Sequence, residues 1–351
     1  MNLSEKIKQK AHELGFDLVG ITPVKPVPDF DFFRWWLGQG FAGMMNYLHR
    51  GLEKRGDPEK ILPGARSIIC CGLNYDSGQI RSISPEGVVR RKGDPHRTAP
   101  LPMAGGEPLG DDGEIGPAPA TGDSMAWISS YAWGEDYHEV IGEKLEQLEI
   151  FIQQEIDSSA KTKSYVDTGP ILERSYAARA GLGWIGKNTC LINNGVGSFL
   201  FLGEVLTTIP LRYDQPALDQ CGSCTKCLEV CPTKALTEPY VMDATKCISY
   251  LTIEHKGEFS EEQGQRVGNH LYGCDICQEV CPYNERNSKS SVPEFYPRKE
   301  FVAPHLKEIE SIREEEFQKI RHGSAMKRIK WKQWVRNLRA ILKNQSSTDR
   351  K

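Results

Sequence analysis

The sequence predicts an α+β protein in three parts: an N-terminal α/β domain, a small cysteine-rich module and a short helical C-terminal tail. Three observations predict it. Segments with helical and strand periodicity alternate through about the first 215 residues, a pattern that builds a sheet with helices packed on it. Seven cysteines then fall into two closely spaced runs, each ending in Cys-Pro. Behind them comes a stretch whose only charges are basic and whose apolar residues recur at helical spacing.

Residues 4–14 read as an amphipathic helix, with Ile7, Ala11 and Leu14 on one stripe and Gly15 as its stop. Residues 16–22 read as a strand, and 67–73 (SIICCGL) as a short buried one. Residues 98–124 are rich in Pro, Gly, Ala and Asp without periodicity, which predicts a flexible surface insertion. Tyr137, Ile141, Leu145, Leu148 and Ile152 mark one face of a long helix. Residues 171–180 form another helix, stopped at Gly181, and 199–207 a further strand. The boundaries that follow are 1–215 for the first domain, 216–290 for the cysteine module and 291–351 for the tail.

The balance of 39% hydrophobic and 26% charged residues, with a net charge of −3 over 351 residues, is that of a globular protein. No apolar run approaches the length of a membrane span. The polar start, MNLSEKIKQK, lacks the apolar stretch of an export signal. A cytoplasmic monomer without a membrane partner is expected. Thiols stay reduced in that compartment, so the eleven cysteines point to metal binding or catalysis, not to disulfides.

Cys221, Cys224, Cys227 and Cys231 form C-x2-C-x2-C-x3-C followed by Pro232. This is the bacterial-ferredoxin spacing, in which the fourth cysteine serves the other cluster. Cys274, Cys277 and Cys281 form a second run, one cysteine short, and Cys247 can fill that place. Eight thiolates then hold two 4Fe–4S clusters: Cys221, Cys224, Cys227 and Cys281 on one, Cys231, Cys247, Cys274 and Cys277 on the other. Structural zinc also uses paired C-x2-C, but rarely three cysteines at successive two-residue gaps before Cys-Pro. Cys70, Cys71 and Cys190 fall outside the motif and are assigned no role. Two clusters make an electron relay, and the preceding domain must bind what receives the electrons.

Segments 130–138 (SYAWGEDYH), 166–174 (VDTGPILER) and 177–188 (AARAGLGWIGKN), taken with CGSCTKCLEVCPTKAL, CISYLT and LYGCDICQEVCPYN, resemble the epoxyqueuosine reductase family. The resemblance runs from the first helix to about residue 290. More distantly, the layout is similar to reductive dehalogenases. The resemblance implies a nitroreductase-like domain that binds cobalamin and reduces epoxyqueuosine to queuosine at the wobble position of tRNA. It implies cob(I)alamin formed through the clusters from an external low-potential electron donor. It places a proton donor at Asp167, a second catalytic aspartate at Asp136, and cobalamin contacts at Arg55, Ser129, Asp167, Lys187, Asn188, Ser198 and Ser249. Many members also carry a C-terminal helical-repeat domain, whereas this sequence ends at Lys351.

Local readings stand beside these roles. Asp167 could cap the helix expected from Ile171, and Asp136 the helix at Tyr137. Asp136-x-His138 is similar to a cobalt-ligating D-x-H-x-x-G motif, but Gly142 lies one residue too far, so His138 reads as a surface or packing residue. Gly181, Gly183 and Gly186 form G-x-G-x-x-G after a helix instead of a strand, which predicts a tight turn, not a dinucleotide site. In the tail, Lys327, Arg328, Lys330, Lys332, Arg336, Arg339 and Lys343 predict a basic face available to tRNA phosphates, opposite an apolar docking face. Two rivals remain open at this point: a reductive dehalogenase-like enzyme, and a non-catalytic iron–sulfur electron carrier.

Overall fold

The computed structural model describes residues 2–78, 125–285 and 288–348. The predicted insertion at 98–124 lies outside the described residues. Strands β1 (Leu18–Pro23), β2 (Ser67–Asn74), β3 (Thr162–Tyr165) and β4 (Leu200–Thr207) form one sheet in the order β1-β2-β4-β3. Every pairing is antiparallel. Alternating helices and strands more often build a parallel sheet. Here the β1–β2 and β3–β4 connections each begin and end at the same end of the sheet, so these neighbours run in opposite directions.

Both faces of the sheet are covered, which is why β2 reads as one apolar run and is buried at every position. On one face Ile69, Cys71 and Leu73 meet α1 (Leu3–Glu13) through Ile7 and Ala11, and α2 (Tyr137–Phe151) through Ile141, Leu145 and Leu148. Each of these large aliphatic side chains contributes roughly 1.5–3 kcal/mol by burial. On the other face Ile68 and Cys70 meet Tyr176 and Ala177 of α3 (Glu173–Arg179). A capping box between Asn2 and Glu5 starts α1, and Gly15, at φ +95°, lets the chain turn back into β1. Helix α3 starts at Glu173, later than expected, and Leu172 precedes it without a side-chain cap. Asp167 therefore does not cap it. Of the three glycines after α3, Gly181 takes φ +83°, as a turn there requires, and a Cβ on Gly183 would lie 2.1 Å from the Ile192 carbonyl oxygen.

The tail joins the same core. Helix α4 (Trp331–Thr348) buries Trp334, Leu338 and Ile341 against it. Its basic face departs from the expectation at Arg336, which is buried and donates to the carbonyls of Leu251, His255 and Gly257. A guanidinium among unpaired carbonyls satisfies them and pins the helix. Among the described residues no helix is long and apolar enough to cross a membrane.

Candidate active site

Beyond the end of β3 the chain makes an irregular turn that carries Asp167 at φ +59°. This left-handed conformation is sparsely populated by side-chain-bearing residues and best tolerated by Asn and Asp. The Asp167 N–H donates to Glu173 Oε1 at 2.5 Å, which holds the turn. Val166 and Thr168, on either side, line a cleft of about 750 Å³ together with His138, Lys163, Tyr165, Lys327 and Arg328. The cleft therefore lies between the sheet domain and the turn that leads into α4.

Asp136 is the N-cap of α2, accepting from the His138 N–H at 3.1 Å, as the capping reading expected. Its wholly buried carboxylate also meets His138 Nδ1 at 2.7 Å and Lys327 Nζ at 2.5 Å. The other imidazole nitrogen, Nε2, stands 3.5 Å from Asp167 Oδ2, and the Tyr137 hydroxyl donates to that oxygen at 3.1 Å. Asp136, His138 and Asp167 thus form a chain from the protein interior to the cleft. His138, expected as a surface or packing residue, stacks on Tyr137 and also lines the cleft. The signal is present in the Asp136-x-His138 spacing at a helix start. It marks a carboxylate clamp, which needs no glycine three residues after the histidine.

The charges of this chain are set by contact and burial. Contact with His138 holds Asp167 below the usual carboxylate range. Burial alone would lower the His138 imidazole, but Asp136 and Asp167 outweigh it and raise it to about 9. Burial would raise Asp136, but the His138 and Lys327 hydrogen bonds win and hold it far below its ordinary value. Asp136 is therefore a fixed carboxylate and does not suit proton donation. Behind Asp167, burial raises Glu173 to about 7, and burial raises Glu204 of β4 further beside it.

The residues expected to contact cobalamin divide between two places. Arg55 belongs to the cleft side: Glu173, Tyr47 and Asp167 act on its charge, and Nη1 donates to the Ile171 carbonyl at 3.2 Å. Its Nε is buried without a partner among the described residues. Buried donors without acceptors fit a ligand rich in amide and phosphate oxygens, as cobalamin is. The others gather on the cysteine module. Ser129 donates to Asp275. Lys187 donates to the carbonyls of Gly222 and Cys224 at 2.6 and 2.9 Å. Asn188 donates to the Cys277 carbonyl and Ser198 to Gln278. Ser249 hydrogen-bonds the Cys247 thiol.

The thiols sort by their mutual influence. Burial raises Cys281 to about 12, with Cys221, Cys190 and Cys227 near enough to add to it. Burial raises Cys227 to about 11, with Cys224 and Cys221 adding. Cys277 is raised by contact with Cys190, by burial, and by Cys274 and Cys247. Burial raises Cys247, and Cys231 adds. Trp184 packs with Cys221 and Cys281, and its indole N–H has no partner among the described residues, a donor that a cluster sulfur would satisfy. Among the described residues no three His, Cys, Asp or Glu side chains converge as one metal ion requires. Cys190, assigned no role from the sequence, lies against Cys277.

Comparison with known proteins agrees with these features. Residues 220–284 match the 4Fe–4S double cluster binding domain, so a 4Fe–4S domain is present. Residues 114–168 match the family described as epoxyqueuosine reductase QueG, DUF1730. The epoxyqueuosine reductase of Escherichia coli K12 is 38% identical over 97% of this chain and 81% of its own. A crystal structure of epoxyqueuosine reductase with an epoxyqueuosine-modified tRNA-Tyr stem loop aligns with a TM-score of 0.80 and 32% identity, over 97% of this chain and 81% of that one. The Bacillus subtilis enzyme, solved with an aspartate-bearing catalytic loop swung out of the active site, aligns with a TM-score of 0.79 and 31% identity over the same shares. Reductive dehalogenases are distant, at 15% identity and a TM-score of 0.45. Likeness of this extent along nearly the whole length, on a chain that also carries the cluster domain, makes this protein a member of the epoxyqueuosine reductase family of oxidoreductases.

Proposed function

We propose that this protein reduces epoxyqueuosine to queuosine at the wobble position of tRNA, with Asp167 as the proton donor, cobalamin in the cleft and two 4Fe–4S clusters behind it. The observation that carries the reading is the placement of Asp167 between Val166 and Thr168 of a cleft also lined by His138, Lys327 and Arg328, with Arg55 near enough to feel the Asp167 charge. Bound cobalamin would supply a strongly reducing cobalt centre fed one electron at a time by the clusters. The grouping of Cys221, Cys224, Cys227 and Cys281 apart from Cys231, Cys247, Cys274 and Cys277 supports two cubanes sharing ligands across the runs. Each thiolate of a cubane binds a different iron, which calls for a wider ring than one zinc ion needs.

The chain's own residues supply the rest. Epoxide opening leaves an alkoxide, a poor leaving group that must be protonated, and Asp167 is the carboxyl within reach of the cleft. Tyr137 and His138 fix its carboxylate, while Glu173 fixes its backbone. Asp136 acts through His138 as a positioning residue. The swung-out aspartate loop of the B. subtilis enzyme supports a turn at Asp167 that closes over substrate. The partners of this reading are tRNA carrying epoxyqueuosine and an external low-potential electron donor. The test supplies anaerobically reconstituted protein with cobalamin, a low-potential reductant and epoxyqueuosine tRNA, followed by nucleoside mass spectrometry. Queuosine should replace epoxyqueuosine. Unchanged epoxyqueuosine with both cofactors loaded would contradict the reading.

A further inference from the structure

Reduction of an epoxide to an alkene consumes two electrons and two protons and releases one water. Breaking the first C–O bond leaves an alkoxide that takes the first proton. The resulting hydroxyl departs as water only with the second. One carboxyl carries one proton, so a site with Asp167 as its donor must refill it within a turnover.

The neighbour that can do this is His138. Its Nδ1 is held by the buried Asp136 carboxylate at 2.7 Å, and its Nε2 points at Asp167 Oδ2 from 3.5 Å. Tyr137 stacks on the imidazole with centroids 4.1 Å apart and donates its hydroxyl to the same Asp167 oxygen. Lys327 braces Asp136 from the tail and also meets Glu139, and Arg328 lies near enough to act on Asp167. The His138 side chain is 28% exposed, so solvent reaches it, while Asp136 behind it is closed off. Clamping on one nitrogen leaves the other free to give up and regain a proton.

We propose that His138, clamped by Asp136, is the proton reservoir of the reaction, passing each of its two protons through Asp167 to oxygen. The inference rests on the function proposed above. In the first transfer the imidazolium Nε2–H passes to the Asp167 carboxylate, which hands that proton on to the alkoxide. Solvent refills His138, and the second transfer releases the hydroxyl as water, with both electrons coming from the low-potential donor. An alkoxide is far more basic than a carboxylate or an imidazole, so the first transfer runs downhill. The arrangement accounts for a donor held ionised at rest: the pair keeps its proton on His138, which burial would discharge but for Asp136 and Asp167. A modest rotation of Asp167, whose side chain is 62% exposed, closes the 3.5 Å gap.

Two measurements test this. In the first, ¹⁵N NMR follows His138 in the cofactor-free protein. The imidazole should titrate near 9 in the wild type and at least one pH unit lower in Asp136→Asn, the direction expected when a facing carboxylate is removed. In the second, loaded His138→Gln should turn over epoxyqueuosine tRNA roughly ten- to a hundredfold more slowly, the range of a proton-transfer group, with cobalamin and tRNA affinities unchanged. The fall of rate on the basic side of the wild-type pH profile, near 9, should disappear in that variant. His138 titrating near 6.5 in the wild type, or His138→Gln keeping the wild-type rate and basic limb, would overturn the proposal. If even the wild type leaves epoxyqueuosine unconverted, the functional reading fails, and the titration still decides whether Asp136 clamps His138.

Discussion

The cysteine module and the proton-delivering side of the cleft are built on opposite plans. The thiols come from two short loops, with ligands three or four residues apart, and Cys247 between them. Asp136, His138 and Asp167 come instead from a helix start and from the turn after β3, and the brace, Lys327, comes from the tail. A cluster ligand needs only a loop of the right span. A proton path needs groups within about 3 Å of one another, which only the folded sheet and the docked tail provide. The module can therefore be read as a string of characters, and the proton path cannot.

The largest effect that would break this comparison is in metal content. Anaerobically purified protein should hold about eight iron and eight sulfide, as two cubanes require. Cys247→Ala should lose about half of the iron, while Cys190→Ala, despite its contact with Cys277, should keep it. Stoichiometric zinc without iron would mean that spacing misled even where it looked clearest.

A smaller effect, on stability, sharpens the other side. Asp136→Asn removes one partner of a buried ion pair and should destabilise the fold by about 3 kcal/mol at neutral pH. The pH dependence has a definite sign. His138 is raised by the pair, so its contribution is complete below about pH 6.5 and is lost as pH rises through about 9. Asp136 is depressed, so its contribution is present above about pH 4 and fades as pH falls further. Thermal melts across pH should show both losses in the wild type, whereas in Asp136→Asn the acid-side loss should vanish and the basic-side loss shrink, since Asp167 still raises His138. Parallel curves would show that the pair is not coupled.

The smallest effect concerns the tail. The basic face looks uniform in sequence, yet Arg336 is buried, Lys327 braces Asp136, and Arg328 pairs with Glu254 at 2.8 Å beside the cleft. Only Lys330, Lys332, Arg339 and Lys343 of that set remain exposed without a part in the site. Changing these four to glutamine should weaken tRNA binding severalfold and flatten its salt dependence, since a phosphate that the protein does not neutralise keeps its counterions. Clusters and cobalamin should stay bound. An unchanged salt slope would leave α4 with its docking role alone.

What is legible follows from the same contrast. Ile7 with Ala11, and Ile141 with Leu145 and Leu148, announce their helices because one buried face imposes a 3.6-residue period. The buried run of β2 announces a strand covered on both sides. The antiparallel pairing is hidden because strand direction depends on where connections return. Glu204 is hidden because a single acid in an apolar strand carries no period, though it lies wholly buried beside Glu173. The place of His138 at the cleft is hidden because its partner Asp167 is distant in sequence.

In the proposed reaction Asp167 delivers the proton that opens the epoxide. The most direct measurement is single-turnover conversion of epoxyqueuosine tRNA by Asp167→Asn, matched to the wild type in iron, cobalamin and bound tRNA and read by nucleoside mass spectrometry. Asparagine keeps the size and can accept the Tyr137 hydroxyl but cannot deliver a carboxyl proton. The rate should fall by about a hundredfold or more, within the usual range for a general acid. Conversion near the wild-type rate, with Asp136→Asn inactive instead, would contradict that role and move the donor to the buried aspartate.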